Sequence, residues 1–71
     1  MKIIDVSAPY IYKESHIKDS INIPYEELIN NYRNYLNKKE TYYLYCKSGK
    51  LSKRAYLILR SIGYNVLLLE K

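Results

Sequence analysis

Four short apolar runs, Ile3–Val6, Ile21–Ile23, Tyr42–Cys46 and Val66–Leu69, alternate with stretches whose apolar residues recur at helical spacing. Leu28, Ile29, Tyr32, Tyr35 and Leu36 mark one stripe and predict a helix over 25–36. Leu51, Ala55, Ile58, Leu59 and Ile62 mark another and predict a helix over 51–62. Strands alternating with helices argue for a parallel sheet of the α/β class. The punctuation agrees. Pro9 breaks the chain after the first run and can start a brief helical turn through Lys13. Pro24 closes the second run, and Glu26 and Glu27 then suit the first turn of a helix. Gly63 stands where the second helix needs a left-handed residue to end, and Asn65–Leu69 follows as the last strand.

Seventy-one residues make one small domain, 1–71, without repeat or linker. A chain of this size buries only about 60% of the surface its unfolded form exposes, so support from a partner or from self-association is expected. No apolar run approaches the ~20 residues that span a bilayer, and no membrane role is implied. The apolar part of the N-terminus is too short for a secretory signal. The single cysteine cannot form an internal disulfide and has no companions for a cysteine-rich zinc site; no metal is implied, and a reducing cytoplasm fits best. Twelve Lys and Arg stand against seven Asp and Glu. Lys38, Lys39, Lys47, Lys50, Lys53 and Arg54 hold most of the surplus, either as a solvated face or as an attraction for anionic substrates and acidic surfaces. Ten tyrosines make up all the aromatic content, mostly at periodic positions that read as packing. Nucleic-acid binding therefore has charge as its only support.

That single cysteine, Cys46, sits where the third apolar run ends, before Lys47-Ser48-Gly49-Lys50 and a helix N-terminus. A strand, a tight loop and a helix start together aim several backbone N–H groups and the positive end of a dipole at one point. A thiol held there loses its proton readily, which suits sulfur chemistry.

Read in order, Ile4-Asp5-Val6, Ser15-His16-Ile17, Ser20-Ile21-Asn22-Ile23-Pro24, Tyr45-Cys46-Lys47-Ser48-Gly49 with Ser52, and Gly63-Tyr64-Asn65-Val66 resemble the rhodanese-like domain family. The resemblance covers nearly the whole chain. It implies that Cys46 takes a sulfane sulfur from a donor as a persulfide and passes it to a thiol or other nucleophile. It also implies that the backbone of Lys47, Ser48, Gly49, Lys50, Leu51 and Ser52 cradles the anion, with no cofactor. Asp5 and His16 are then supporting, structural residues. The phosphatase relatives carry a longer loop and an arginine six positions after the cysteine. Ser52 stands at that position here and cannot form the bidentate fork that a phosphoryl group wants.

Three departures qualify the resemblance. Leu51 and Ser7 stand where the family often has arginine, so weak turnover of thiosulfate is expected, with a protein persulfide as another possible donor. A non-catalytic interaction module is the alternative. The third departure is length: family members usually have a further strand and helix before, and a Gly-Gly turn and helix after, the elements seen here. The family's sheet order places the last strand beside the Cys46 strand, then the Asp5 strand, with Ile21–Ile23 at the edge. Right-handed crossovers then put both helices on one face. The other face, carrying either Tyr43 and Tyr45 or Tyr42, Leu44 and Cys46, is expected to pack against a second copy or another protein.

Overall fold

A computed structural model describes residues 2–70. Strand β1 (Lys2–Asp5) is followed by helix α1 (Pro9–Glu14) and the short strand β2 (Ile21–Asn22). Helices α2 (Tyr25–Asn30) and α3 (Tyr32–Tyr35) lead to strand β3 (Thr41–Tyr45), helix α4 (Lys50–Ile62) and strand β4 (Asn65–Leu68). The four strands form one parallel sheet in the order β2-β1-β3-β4, the order expected from the family.

Register explains the core. Ile4 pairs with Leu44, and Tyr42 with Val66, so these side chains share one face and are buried there with Val6, Leu28, Leu36, Ala55 and Leu59. Helices α2 and α4 pack together on that face. Alternation along β3 sends Tyr43 and Tyr45 to the opposite face, in register with Ile3 and Asp5. Tyr43 and Tyr45 are half-buried, and Leu67 beside them is 41% exposed. The β1-to-β2 crossover runs the other way across the sheet, so the right-handed rule places α1 on this second face.

The segment 25–36 is not one helix but two. At Asn31 the backbone leaves the helical region (φ −134°, ψ 33°), and its side-chain amide donates to the Glu27 carbonyl at 3.2 Å. The Asn31 backbone N–H still donates to the same carbonyl at 3.1 Å, so the side chain adds a second bond there and caps the end of α2. The break also turns Tyr35 outward, where its hydroxyl donates to Glu27 Oε2 at 2.8 Å instead of joining the stripe. The described residues therefore form four helices, with α1 in the place of the brief helical turn expected after Pro9 and the expected 25–36 helix divided in two.

Helix α4 is bounded by two glycines. Gly49 (φ +79°) starts it and Gly63 (φ +109°) ends it, both in a conformation that a Cβ disfavours. The Gly63 and Tyr64 N–H groups both donate to the Leu59 carbonyl, at 3.2 and 3.0 Å, closing the last turn.

Candidate active site

Cys46 lies one residue beyond β3, and the chain crosses to α4 in three residues. The brevity of that loop brings Ser52, in the first turns of α4, back onto the sulfur. The Ser52 N–H donates to Cys46 Sγ at 3.3 Å, and Ser52 Oγ lies 3.5 Å from Sγ, accepting from the thiol. The same hydroxyl donates to the Gly49 carbonyl at 3.2 Å, and Ser48 Oγ approaches Sγ at 3.9 Å.

Burial pushes the Cys46 thiol up, but the Ser52 hydroxyl and amide, then the Ser48 hydroxyl and the Gly49 amide, outweigh it. The thiol ends below its ordinary value. The amides divide differently from a uniform cradle. Ser52 points its N–H at Sγ, whereas the Gly49 N–H donates to the Cys46 carbonyl at 3.2 Å and the Lys50 N–H to Ser48 Oγ at 3.2 Å. Those two hold the loop's shape, and the loop's shape holds the sulfur.

A cavity of about 400 Å³ opens over this thiol, walled by Tyr45, Cys46, Lys47, Ser48, Gly49, Ser52, Lys53, Leu68, Leu69 and Glu70. Of the residues expected from the sequence, Cys46, Lys47, Ser48, Gly49 and Ser52 meet here. Lys50 and Leu51 do not reach the wall: Lys50 is exposed at the start of α4, and Leu51 is half-buried against the hydrophobic core. Tyr45, Lys53, Leu68, Leu69 and Glu70 are additional. Leu68, Leu69 and Glu70 follow from the parallel register, which brings the C-terminal end of β4 beside that of β3, while Tyr45 ends β3 itself and Lys53 lies one residue past Ser52 on α4; open α/β sheets bind ligands at that edge.

Neither Asp5 nor His16 lines the cavity over the thiol. Asp5 is buried, and its Oδ1 accepts the Ser7 N–H at 2.8 Å, turning the chain as β1 ends. Its carbonyl accepts from Ile23 N and Asn22 Nδ2, both at 3.0 Å, which ties β2 to the sheet. His16 stacks on Tyr12 with ring centroids 3.7 Å apart, and its Nδ1 lies 2.8 Å from the Tyr12 carbonyl, so Nδ1 carries the proton. With Ser15, Ile17, Tyr45 and Lys47 it lines a second, smaller cavity of about 80 Å³.

Fold and site together define a parallel α/β domain with one activated thiol at the C-terminal edge of its sheet. A family profile for the rhodanese-like domain matches residues 1–71. The chain belongs to the rhodanese-like domain family. It is 36% identical over 62 residues to thiosulfate sulfurtransferase PspE of Escherichia coli, covering 86% of this chain and 60% of PspE. A solved Staphylococcus saprophyticus structure superposes with a TM-score of 0.87 at 32% identity, over 97% of this chain and 68% of that one. A rhodanese-related protein from Thermoplasma volcanium gives 0.87 at 30% identity over the same shares. The chain thus spans about three fifths of PspE's length.

Proposed function

We propose that this domain is a sulfurtransferase or persulfide carrier acting through Cys46. The observation that supports it best is the Ser52 N–H and hydroxyl converging on a cysteine sulfur at the floor of an open cavity. In the first half-reaction the Cys46 thiolate attacks the sulfane sulfur of a donor. A new S–S bond forms, the donor's bond to that sulfur breaks, and its electron pair leaves with the donor. The outer sulfur then rests at the N-terminal end of α4, where the Ser52 N–H and the Ser48 and Ser52 hydroxyls are the nearest donors for its negative charge. In the second half-reaction a nucleophile attacks that outer sulfur, and the Cys46–S bond breaks with its pair returning to Sγ. No metal or organic cofactor takes part in either step.

The wall suits some donors better than others. Its cations are two lysines, and Lys47 shares its charge with Glu14 at 4.0 Å. Lysine gives a point charge where a thiosulfate dianion favours a fork, so thiosulfate is a poor donor and organic persulfides are better ones. Mass spectrometry after exposure to sulfane-sulfur donors tests the proposal. One added sulfur atom on Cys46, removed by thiol and absent in Cys46→Ser, is the expected result. Leu51, packed on the core where a basic residue would serve the loop, favours the interaction-module reading. A protein that never gains sulfur would bear that reading out.

A further inference from the structure

The far wall of the cavity carries charges of both signs. Lys53, on α4, and Glu70, just past β4, line it together with Lys47 and the apolar Leu68 and Leu69. Lys47 already lies 4.0 Å from Glu14, the last residue of α1. Neither Lys53 nor Glu70 takes part in an ion pair among the described residues. A site for an inorganic anion alone has no use for a carboxylate on its wall, since that charge repels the ligand. A carboxylate and an ammonium beside the same thiol match a ligand that carries both an ammonium and a carboxylate next to sulfur. The volume, about 400 Å³, falls at the lower end for small-molecule sites and admits such a ligand together with the bound sulfur.

We propose that the acceptor of the Cys46 sulfur is a small zwitterionic amino-acid thiol, of which cysteine is the simplest, with its ammonium toward Glu70 and its carboxylate toward Lys53. This rests on the sulfurtransferase reading and names its acceptor class. The acceptor's thiolate attacks the outer sulfur of the Cys46 persulfide. The S–S bond to Cys46 breaks, its electron pair reforms the Cys46 thiolate, and the outer sulfur leaves on the acceptor as an amino-acid persulfide anion. Sulfur and charge balance without an added oxidant or reductant.

The test begins with protein loaded with sulfur on Cys46, and mass spectrometry then follows its discharge. Cysteine, cysteamine (no carboxylate) and 3-mercaptopropionate (no ammonium) are compared in wild type, Lys53→Gln and Glu70→Gln. Ratios of kcat/KM between wild type and variant cancel the intrinsic nucleophilicity of each thiol. Glu70→Gln is expected to slow cysteine and cysteamine by about three- to fivefold and leave 3-mercaptopropionate unslowed, in keeping with exposed charge pairs. Lys53→Gln is expected to slow cysteine and 3-mercaptopropionate similarly and spare cysteamine. Equal effects of each variant on all three thiols, or no effect on any, would overturn the assignment while leaving sulfur transfer standing. Failure of Cys46 to load at all would overturn both.

Discussion

The backbone N–H of Ser52 lies 3.3 Å from the sulfur of Cys46, six residues earlier in the chain, and its hydroxyl lies 3.5 Å from the same atom. One residue thus supplies two contacts to the reactive group. Ser52→Ala keeps the amide and removes the hydroxyl. A hydrogen bond contributes about 1 kcal/mol, so alkylation of Cys46 at neutral pH should slow about fivefold. The midpoint of the rate–pH curve should move up, because the hydroxyl accepts from the neutral thiol but turns its proton from the Gly49 carbonyl to the sulfur once the thiol ionises, and that donor is gone. An unchanged midpoint would show that the amides and the Ser48 hydroxyl set the ionisation without the Ser52 hydroxyl.

The same ionisation links to stability. The folded-state thiol lies below its ordinary value, so its contribution is present above the unfolded value and is lost as pH falls through the folded one. Melting temperatures of wild type and Cys46→Ser, compared from about pH 6 to about pH 9, should diverge in favour of wild type as the pH rises toward the ordinary cysteine range. A constant difference would contradict a lowered thiol.

Gly49 offers a separate test of the loop. A Cβ there meets nothing within 4 Å, so only the left-handed backbone resists substitution. Gly49→Ala should cost about 1 kcal/mol, lowering the melting temperature by about 4–8 °C in a domain of this size. Gly49→Asn should cost less, because asparagine tolerates that conformation. Equal losses would point to a steric demand instead.

Leu51→Arg tests the donor. Wild type should turn over thiosulfate weakly, and the variant should raise kcat/KM several-fold, its stem lying where Leu51 now packs and its fork reaching the loop. Loss of the apolar contact should cost stability at the same time, readable in a denaturant titration. Robust wild-type turnover with no gain in the variant would refute this account.

At the centre of the sheet, Leu44 is fully buried between β1 and β4. Leu44→Ala should remove about 2–5 kcal/mol, a large share of the total stability of a domain this small. A chemical unfolding midpoint within error of wild type would mean that the core collapses around the gap.

Much of this was legible because the signals are local. Cys46, Ser48, Gly49 and Ser52 lie within seven residues, so a strand, a glycine and a helix start suffice to bring them together. The strand order rests on the family resemblance, and the sheet follows it. The break at Asn31 was not legible, since spacing alone does not reveal that one side chain turns back on the Glu27 carbonyl. Nor was the far wall. Leu68, Leu69 and Glu70 reach the thiol only through the register of β4 on β3, a pairing between residues distant in sequence. The rule that ligands sit at the C-terminal edge of a parallel sheet would have pointed to them.

The bond from the Ser52 hydroxyl to the Gly49 carbonyl, made by the same oxygen that touches the sulfur, ties thiol reactivity to the first turn of α4. If that turn frays, both contacts to the sulfur loosen and the proton is held more firmly. Heat or mild denaturant should then quieten Cys46 before the sheet gives way, making its labelling rate a gauge of local order at one end of a single helix.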